Sequence, residues 1–264
     1  MTPVALTIAG SDPSGSSGLQ ADLPTFAAFD VHAISVITVA TAQDSLGVHA
    51  FHQLPTDLVT AQLDRLLDDL APRATKTGLL RAVDVIELVA ERSAGGRLGA
   101  LIVDPVMVDS AGRPIVEPPA IEAYRELASD ATLLTPNRWE AELLTGMTFP
   151  DDDPTAAVEP LRALGCDVVV MTGGRGSADA VTDLAITANE VIYLSSPRVG
   201  TQAIRGTGCT FSAAAAAGLA RGASATEAVH GAHQFVNQQL SRTTALQLGA
   251  GRPGVPHGID CAAR

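Results

Sequence analysis

Lysine is almost absent from this 264-residue chain, where Lys76 stands alone beside sixteen arginines. Two readings of that bias are open: an arginine-favouring composition with Lys76 a chance survivor, or a strand-end position that needs a compact ammonium instead of a planar guanidinium. Charge is sparse as well. Asp, Glu, Lys and Arg make up 17% of the residues and leave a net charge of -12, which excludes a basic stripe able to follow nucleic acid or an anionic membrane. The three cysteines, Cys166, Cys209 and Cys261, show neither a close pair nor zinc-ligand spacing, so a disulfide framework or structural metal has no support. No run reaches the roughly 18 apolar residues of a membrane span. The opening residues 1–10 have no basic region and too short an apolar stretch for a signal peptide. A soluble, cytoplasmic protein is expected. A GxxxxGK[ST] motif is missing throughout, which excludes a conventional P-loop.

What is present is a core. Hydrophobic residues make up 46% of the chain, enough for one substantial interior, and the length suits a single α/β domain over residues 1–264. Short β-branched runs, glycine or proline breaks and longer segments of helical spacing alternate, which reads as βα units around a mostly parallel sheet with helices on both faces. Residues 4–9 form the first expected strand. In the helix after it, Leu19, Leu23, Phe26 and Phe29 share one side. Residues 32–40 form a second strand, and Val59, Leu63, Leu66, Leu67 and Leu70 are the apolar stripe of a helix starting near Pro55. Further strands are expected over 74–77, 100–103, 131–134 and 168–171. Residues 180–186 and 191–194 read as a hairpin. Late helices begin near Thr207 and, with the capping-box pair Ser224 and Glu227, near residue 224.

Four segments could carry chemistry. Arg205-Gly206-Thr207-Gly208-Cys209-Thr210 runs into a helix containing five consecutive alanines. Glycines at a helix start let backbone N–H groups face an anion, and the helix dipole favours negative charge there. That position is also expected to lower the pKa of Cys209. A turn needed only to pack the alanine helix is the competing reading. The polar loop over 10–22 follows the first strand, where ligand crevices form in open parallel sheets. Asn137 and Glu140 lie three apart at a helix start, and with Asp104 at the end of a buried strand they could order water around Mg²⁺; ordinary helix capping and an Asp-Pro turn explain the same residues. Val170-Met171-Thr172-Gly173-Gly174-Arg175-Gly176 is a strand with a glycine-rich turn, suited to nucleotide phosphate or to a tight turn. Gln43 both donates and accepts, as a heterocycle edge requires.

The order of these motifs resembles the hydroxymethylpyrimidine/phosphomethylpyrimidine kinases of thiamine biosynthesis, within the ribokinase superfamily. The resemblance runs from Leu6-Thr7-Ile8-Ala9-Gly10-Ser11-Asp12 and Gln20-Ala21-Asp22, through Ser35-Val36-Ile37-Thr38, Thr75-Lys76-Thr77-Gly78-Leu79 and Asp104-Pro105-Val106-Met107, to Thr135-Pro136-Asn137 and Gly206-Thr207-Gly208-Cys209-Thr210. It implies a ribokinase-like fold, ATP and Mg²⁺ as co-reactants, a small heteroaromatic alcohol as substrate and a homodimer. It further implies that Gly10, Asp22 and Gln43 contact the pyrimidine, that Leu79 and Val106 wall it, and that Gly206, Thr207, Gly208 and Cys209 form the anion hole with Cys209 as base. Asp104, Asn137 and Glu140 become the metal-phosphate group, and Thr172, Gly174, Arg175, Gln202 and Arg205 the nucleotide side.

The chain departs from the pattern where the family usually carries charge. Thr172 and Gln202 replace lysines, Arg205 replaces a histidine, and Ser16-Ser17 replaces a Gly-Ala pair. Arg175 or Arg205 could take over phosphate binding, since a guanidinium grips phosphate bidentately. Two other functions fit the same residues: a pyridoxal or pyridoxine kinase, and a catalytically weakened pyrimidine-binding protein.

Overall fold

Buried β-branched strands alternating with amphipathic helices leave parallel pairing as the way to cover both faces of the sheet. The computed structural model describes residues 2–109, 112–150, 153–173, 180–199, 204–243 and 248–257. In it β1 (Val4–Ser11), α1 (Gly18–Ala28), β2 (His32–Gln43), β3 (Val48–Gln53), α2 (Thr56–Asp69), β4 (Ala74–Thr77), α3 (Val83–Ala94), β5 (Ala100–Val103) and α4 (Pro118–Ser129) follow in order. The second half holds β6 (Leu133–Leu134), α5 (Arg138–Thr145), α6 (Val158–Arg162), β7 (Val168–Met171), β8 (Ala180–Thr187), β9 (Val191–Pro197), α7 (Thr207–Ala220) and α8 (Ala225–Thr243).

The strands form one sheet in the order β3-β2-β1-β4-β5-β6-β7-β8-β9. Strands β2, β1, β4, β5, β6 and β7 are mutually parallel, while β3, β8 and β9 pair antiparallel at the two ends. Because β1 is followed to one side by β2 and to the other by β4, the chain reverses direction of winding between β1 and β4. The carboxyl ends on either side of such a switch open a crevice. Leu6 and Ile8 of β1 join Leu63, Ile86, Tyr124 and Leu161 in one core, whereas Ala5 joins Phe26, Phe211 and Val229 in the other. The period-two alternation of the strand thus feeds helices on both faces.

The expected elements stand, with three adjustments. Residues 131–134 contribute strand only at Leu133–Leu134. Strand β2 continues to Gln43 and pairs with β3, which the sequence did not suggest because its residues 48–52 are all exposed and carry no alternation. In α1, Leu19 and Phe26 are buried but Leu23 and Phe29 are only half-buried. The expected capping box at α8 is present: Glu227 accepts from the Ser224 backbone N–H at 2.9 Å, and the Glu227 N–H meets the Ser224 hydroxyl at 3.3 Å. No helix among the described residues is long and apolar enough to cross a membrane.

Lys76 decides between its two readings by position. It is the penultimate residue of β4, is fully buried, and places Nζ 3.0 Å from each Asp22 carboxylate oxygen and 3.8 Å from Asp104 Oδ2. Burial pulls its pKa down, but Asp22, Cys209 and Asp104 around the ammonium outweigh that and hold it above the ordinary lysine value. The Thr7 hydroxyl donates to Asp22 at 2.6 Å, so α1 is joined to β1 and β4 through one ionised pair.

A C-terminal strap, residues 248–257, crosses the start of α7. Arg205 N–H donates to Pro253 O at 2.8 Å and Val255 N–H returns to Arg205 O at 3.1 Å. Thr210 gives its hydroxyl proton to Gly206 O at 2.7 Å, which leaves His257 Nε2, also 2.7 Å away, to donate to Thr210. Burial lowers the His257 pKa from 6.5 to about 4.

Two outcomes are expected. Lys76→Met leaves buried carboxylates unpaired and should lower stability by about 3–5 kcal/mol, most of it regained in Lys76→Met with Asp22→Leu; an unchanged urea midpoint in the single variant would refute this role for the pair. For His257, the unfolded state binds a proton that the folded state refuses, so its contribution is present above pH 6.5 and lost as pH falls through about 4. Urea midpoints should therefore drop between pH 7 and 5, with a shallower drop in His257→Asn.

Candidate active site

The carboxyl ends of β1, β4, β5, β6 and β7 open into one cavity of about 1630 Å³, larger than the ~300–1,000 Å³ typical of a pocket for a single small ligand. It has room for two reactants side by side. Gly10, Gln43, Leu79 and Val106 are among its lining residues, with Gly206, Thr207, Gly208 and Cys209 at the start of α7 and with Asp104, Asn137, Glu140, Thr172 and Arg205. Segments far apart in sequence are thus gathered because each directly follows a parallel strand or begins a helix packed on the sheet.

Cys209 lies where two helices begin. It is in the first turn of α7, and the backbone N–H of Gly18, the first residue of α1, points at its thiol. The approach requires glycine at two places. Gly206 has φ +82°, and a Cβ there would lie 1.7 Å from Ser16 O; Gly18 has φ +57°, and a Cβ there would lie 2.3 Å from Gly10 O. The first N–H groups of α7 have no acceptor within the helix, so this floor suits developing negative charge. The expected lowering of the Cys209 pKa is not found. Burial of the sulfur is the larger effect; Lys76 opposes it, Asp104 and Asp22 reinforce it, and the pKa is pushed up to about 12. A helix start lowers a thiol pKa only where burial does not outweigh it.

Also lining the cavity, Asn137 caps α5 in a reciprocal box: its side chain accepts from Glu140 N–H at 3.0 Å, and Glu140 Oε2 accepts from Asn137 N–H at 2.9 Å. Glu140 Oε1 accepts from Met107 N–H at 3.3 Å. Burial, reinforced by the nearby Asp104 carboxylate, raises the Glu140 pKa to about 8. Asp104 is 6% exposed and accepts from the Ser212 hydroxyl at 3.0 Å. Burial, only partly offset by Lys76, raises the Asp104 pKa as well, and buried carboxylates of raised pKa favour a cation beside them. Among the described residues no group of three His, Cys, Asp or Glu side chains could hold a metal ion; hard oxygen donors of this kind suit Mg²⁺, which keeps several of its waters and binds phosphate.

One expected site residue, Asp22, sits away from the cavity lining, and another, Arg205, lines it with its guanidinium already engaged. Asp22, expected against the ring, is fully buried behind the cavity with Lys76 and Thr7 and does not line it; α1 turns that side chain under the sheet end. Arg205, expected to be free for phosphate, is only 14% exposed in its side chain, lies 3.5 Å from Asp12 Oδ2 and donates to Asp44 O. It ties the first loop to the β2–β3 turn. Asp12 in turn accepts from the backbone N–H groups of Ser14 and Ser17 at 2.9 and 3.0 Å. Gln43 is half-buried, with Nε2 3.5 Å from Ser17 Oγ. Gly174, Arg175 and Gln202 lie outside the described residues.

Several cavity residues were not singled out from sequence. Thr135, directly after β6 and bonded to Val103 O, lines the cavity although the motif containing it was assigned no role for it. His233, Val236, Asn237 and Leu240 line the cavity from α8 at helical spacing indistinguishable from a core stripe. Phe51 and Arg81 also face it; neither lies in a recognisable motif.

The phosphomethylpyrimidine kinase family matches residues 12–255 of the chain. A hydroxymethylpyrimidine/phosphomethylpyrimidine kinase of Rhizobium meliloti is 39% identical over 262 residues, covering 97% of each chain. A pyridoxine kinase of Bacillus subtilis is 38% identical, covering 92% of each. Among solved structures, the ADP complex of Bacillus subtilis pyridoxal kinase matches with a TM-score of 0.88 at 36% identity, over 97% of this chain and 98% of that one. With its mostly parallel sheet and near-complete coverage, the chain belongs to the phosphomethylpyrimidine kinase family and has a ribokinase-like fold.

Proposed function

We propose that this protein transfers the γ-phosphoryl group of ATP to the hydroxymethyl oxygen of 4-amino-5-hydroxymethyl-2-methylpyrimidine and then to the phosphate of the product, in thiamine biosynthesis. The observation that carries the reading is the placing of Cys209 and the α7 N-terminus on the floor of the same cavity that Gly10, Gln43, Leu79 and Val106 line. Gln43 offers a donor and an acceptor to an aminopyrimidine edge, while Leu79 and Val106 offer apolar walls. The relatives' names and the ADP-bound neighbour support the acceptor and donor classes. The cytoplasmic setting and the homodimer implied by the resemblance belong to the same proposal.

The alcohol oxygen attacks the γ-phosphorus; one P–O bond forms, the bond to the ADP oxygen breaks, and the alcohol proton passes to Cys209 Sγ in its thiolate form, the thiol proton having first left to solvent. With a pKa of about 12 in the ligand-free site, the thiolate is a minor but strongly basic form at neutral pH, and its share rises with pH. Most of the acceleration then comes from positioning and from the α7 amides facing charge that spreads over the phosphoryl oxygens. Asp104, Asn137 and Glu140 would hold Mg²⁺ through water, and the ion would supply charge neutralisation on the phosphates.

A vitamin B6 alcohol is the second reading, favoured by the pyridoxine kinase relative and the pyridoxal kinase neighbour. ADP release with Mg-ATP and, separately, the pyrimidine alcohol, its monophosphate and pyridoxal decides between them. Turnover of both pyrimidines is expected; preference for pyridoxal installs the second reading, and pyrimidine binding without ADP release installs a binding protein. Cys209→Ala should lower kcat by about 10²-fold, the lower end of general-base effects, and flatten a kcat that otherwise rises with pH above 8; a parallel profile would show that the thiol only packs. Gly206→Ala, forcing Ser16 away, should lower kcat by a further-reaching ~10²–10³-fold, measured with the protein still folded by circular dichroism.

A further inference from the structure

Arg81 adopts a left-handed backbone, φ +66°, which among the described non-glycine residues it shares only with Asp30. Such a conformation persists where surrounding contacts over-determine it, and it clusters at ligand clamps. Here its guanidinium bridges two other segments of the cavity lining. Arg81 Nη1 donates to Ile115 O at 2.5 Å, and the guanidinium carbon lies 4.0 Å from the centre of the Phe51 ring. Arg81, Ile115 and Phe51 all line the cavity, and they come from three elements: the loop after β4, the segment before α4, and β3. Strand β3 has little else to hold its side chains. It is an edge strand paired only with β2, and its residues 48–52 are exposed. A guanidinium over an aromatic face is attracted by the ring quadrupole while its N–H fork stays free for a carbonyl, so one side chain makes both attachments.

We propose that Arg81 is a positioning residue that latches β3 over the cavity and holds Phe51 against the planar heteroaromatic acceptor, thereby setting acceptor affinity. This rests on the acceptor site proposed above. The acceptor has two faces to cover; Leu79 and Val106 supply apolar surface from the sheet ends, and Phe51 is the aromatic side chain that the hairpin brings to the same cavity. The latch acts before chemistry, so it moves binding and leaves phosphoryl transfer alone.

Arg81→Gly is the informative variant, because glycine accepts φ +66° and the backbone need not change when the side chain is lost. Removing the latch should raise the acceptor KM about tenfold, equivalent to about 1.4 kcal/mol, with kcat and the ATP KM within about twofold of the parent and thermal stability undiminished. Phe51→Ala should give the same rise, and the double variant no more than either alone, since both sever one contact. Additive effects, an equal rise in the ATP KM, or an unchanged acceptor KM would each overturn the proposal. Hydrogen exchange provides a reading independent of turnover: amides over residues 48–53 should exchange faster in Arg81→Gly, and unchanged exchange would also overturn it. If the parent protein phosphorylates none of the acceptors, the proposed function falls on that result, and acceleration or its absence over 48–53 still decides whether the latch exists.

Discussion

A lysine ammonium without contact with solvent has to be surrounded by charge, and much of the catalytic end of this molecule is arranged around that requirement. Lys76 sits one residue before the end of β4, bidentate to Asp22 on α1 and within 3.8 Å of Asp104 at the end of β5. Breaking a buried pair leaves an uncompensated charge in low dielectric, which is why such pairs lock their elements together whatever their net worth relative to an apolar core. The first helix cannot slide along the sheet without separating Asp22 from Lys76. Its N-terminal residue Gly18 consequently stays beside Cys209. An arginine could not fill this place in the same way, since its planar fork needs more room than the space beneath Gly78, where a Cβ would already approach Lys76 Nζ to 3.1 Å.

The second constraint is the closeness of α7 to the sheet. Its run of alanines, from Ala213 to Ala217, is fully buried against α1, α8 and the strands. Small side chains let the helix lie deep, and that depth carries its first turn into the cavity floor. The same burial that seats Cys209 in the cavity floor raises its pKa, so the thiol stays protonated in the ligand-free site at neutral pH. Position and protonation state are two consequences of one packing arrangement.

Much of the fold was legible because periodicity carries it. The parallel strands at residues 4–9, 74–77, 100–103 and 168–171, the helix beginning near Pro55 and the capping box at Ser224 all follow from burial pattern or turn chemistry. Strand β3 was not legible: it is an exposed edge whose pairing with β2, not its own composition, makes it a strand. The motif residues at Gly10, Val106, Asn137 and Gly206 to Cys209 do converge on one cavity. Asp22 and Arg205 depend on contacts that no spacing announces. A carboxylate and a guanidinium in a motif read as ligand contacts, yet each is occupied by a partner distant in sequence, Lys76 for one and Asp12 with Asp44 for the other.

By itself the sequence determined the alternation of strands and helices, the glycine-rich start of α7 and the family resemblance, because those depend on local spacing and on the order of short segments. Only the tertiary structure decided which charges are neutralised and which face the cavity, because that depends on side chains meeting across 54 positions, as Lys76 and Asp22 do. It likewise decided the protonation of Cys209, since desolvation is a property of what surrounds a group and not of the residues beside it in the chain. The attachment of Phe51 to Arg81 and Ile115 is of the same kind, a contact among three loops and strand edges that no spacing in the sequence announces.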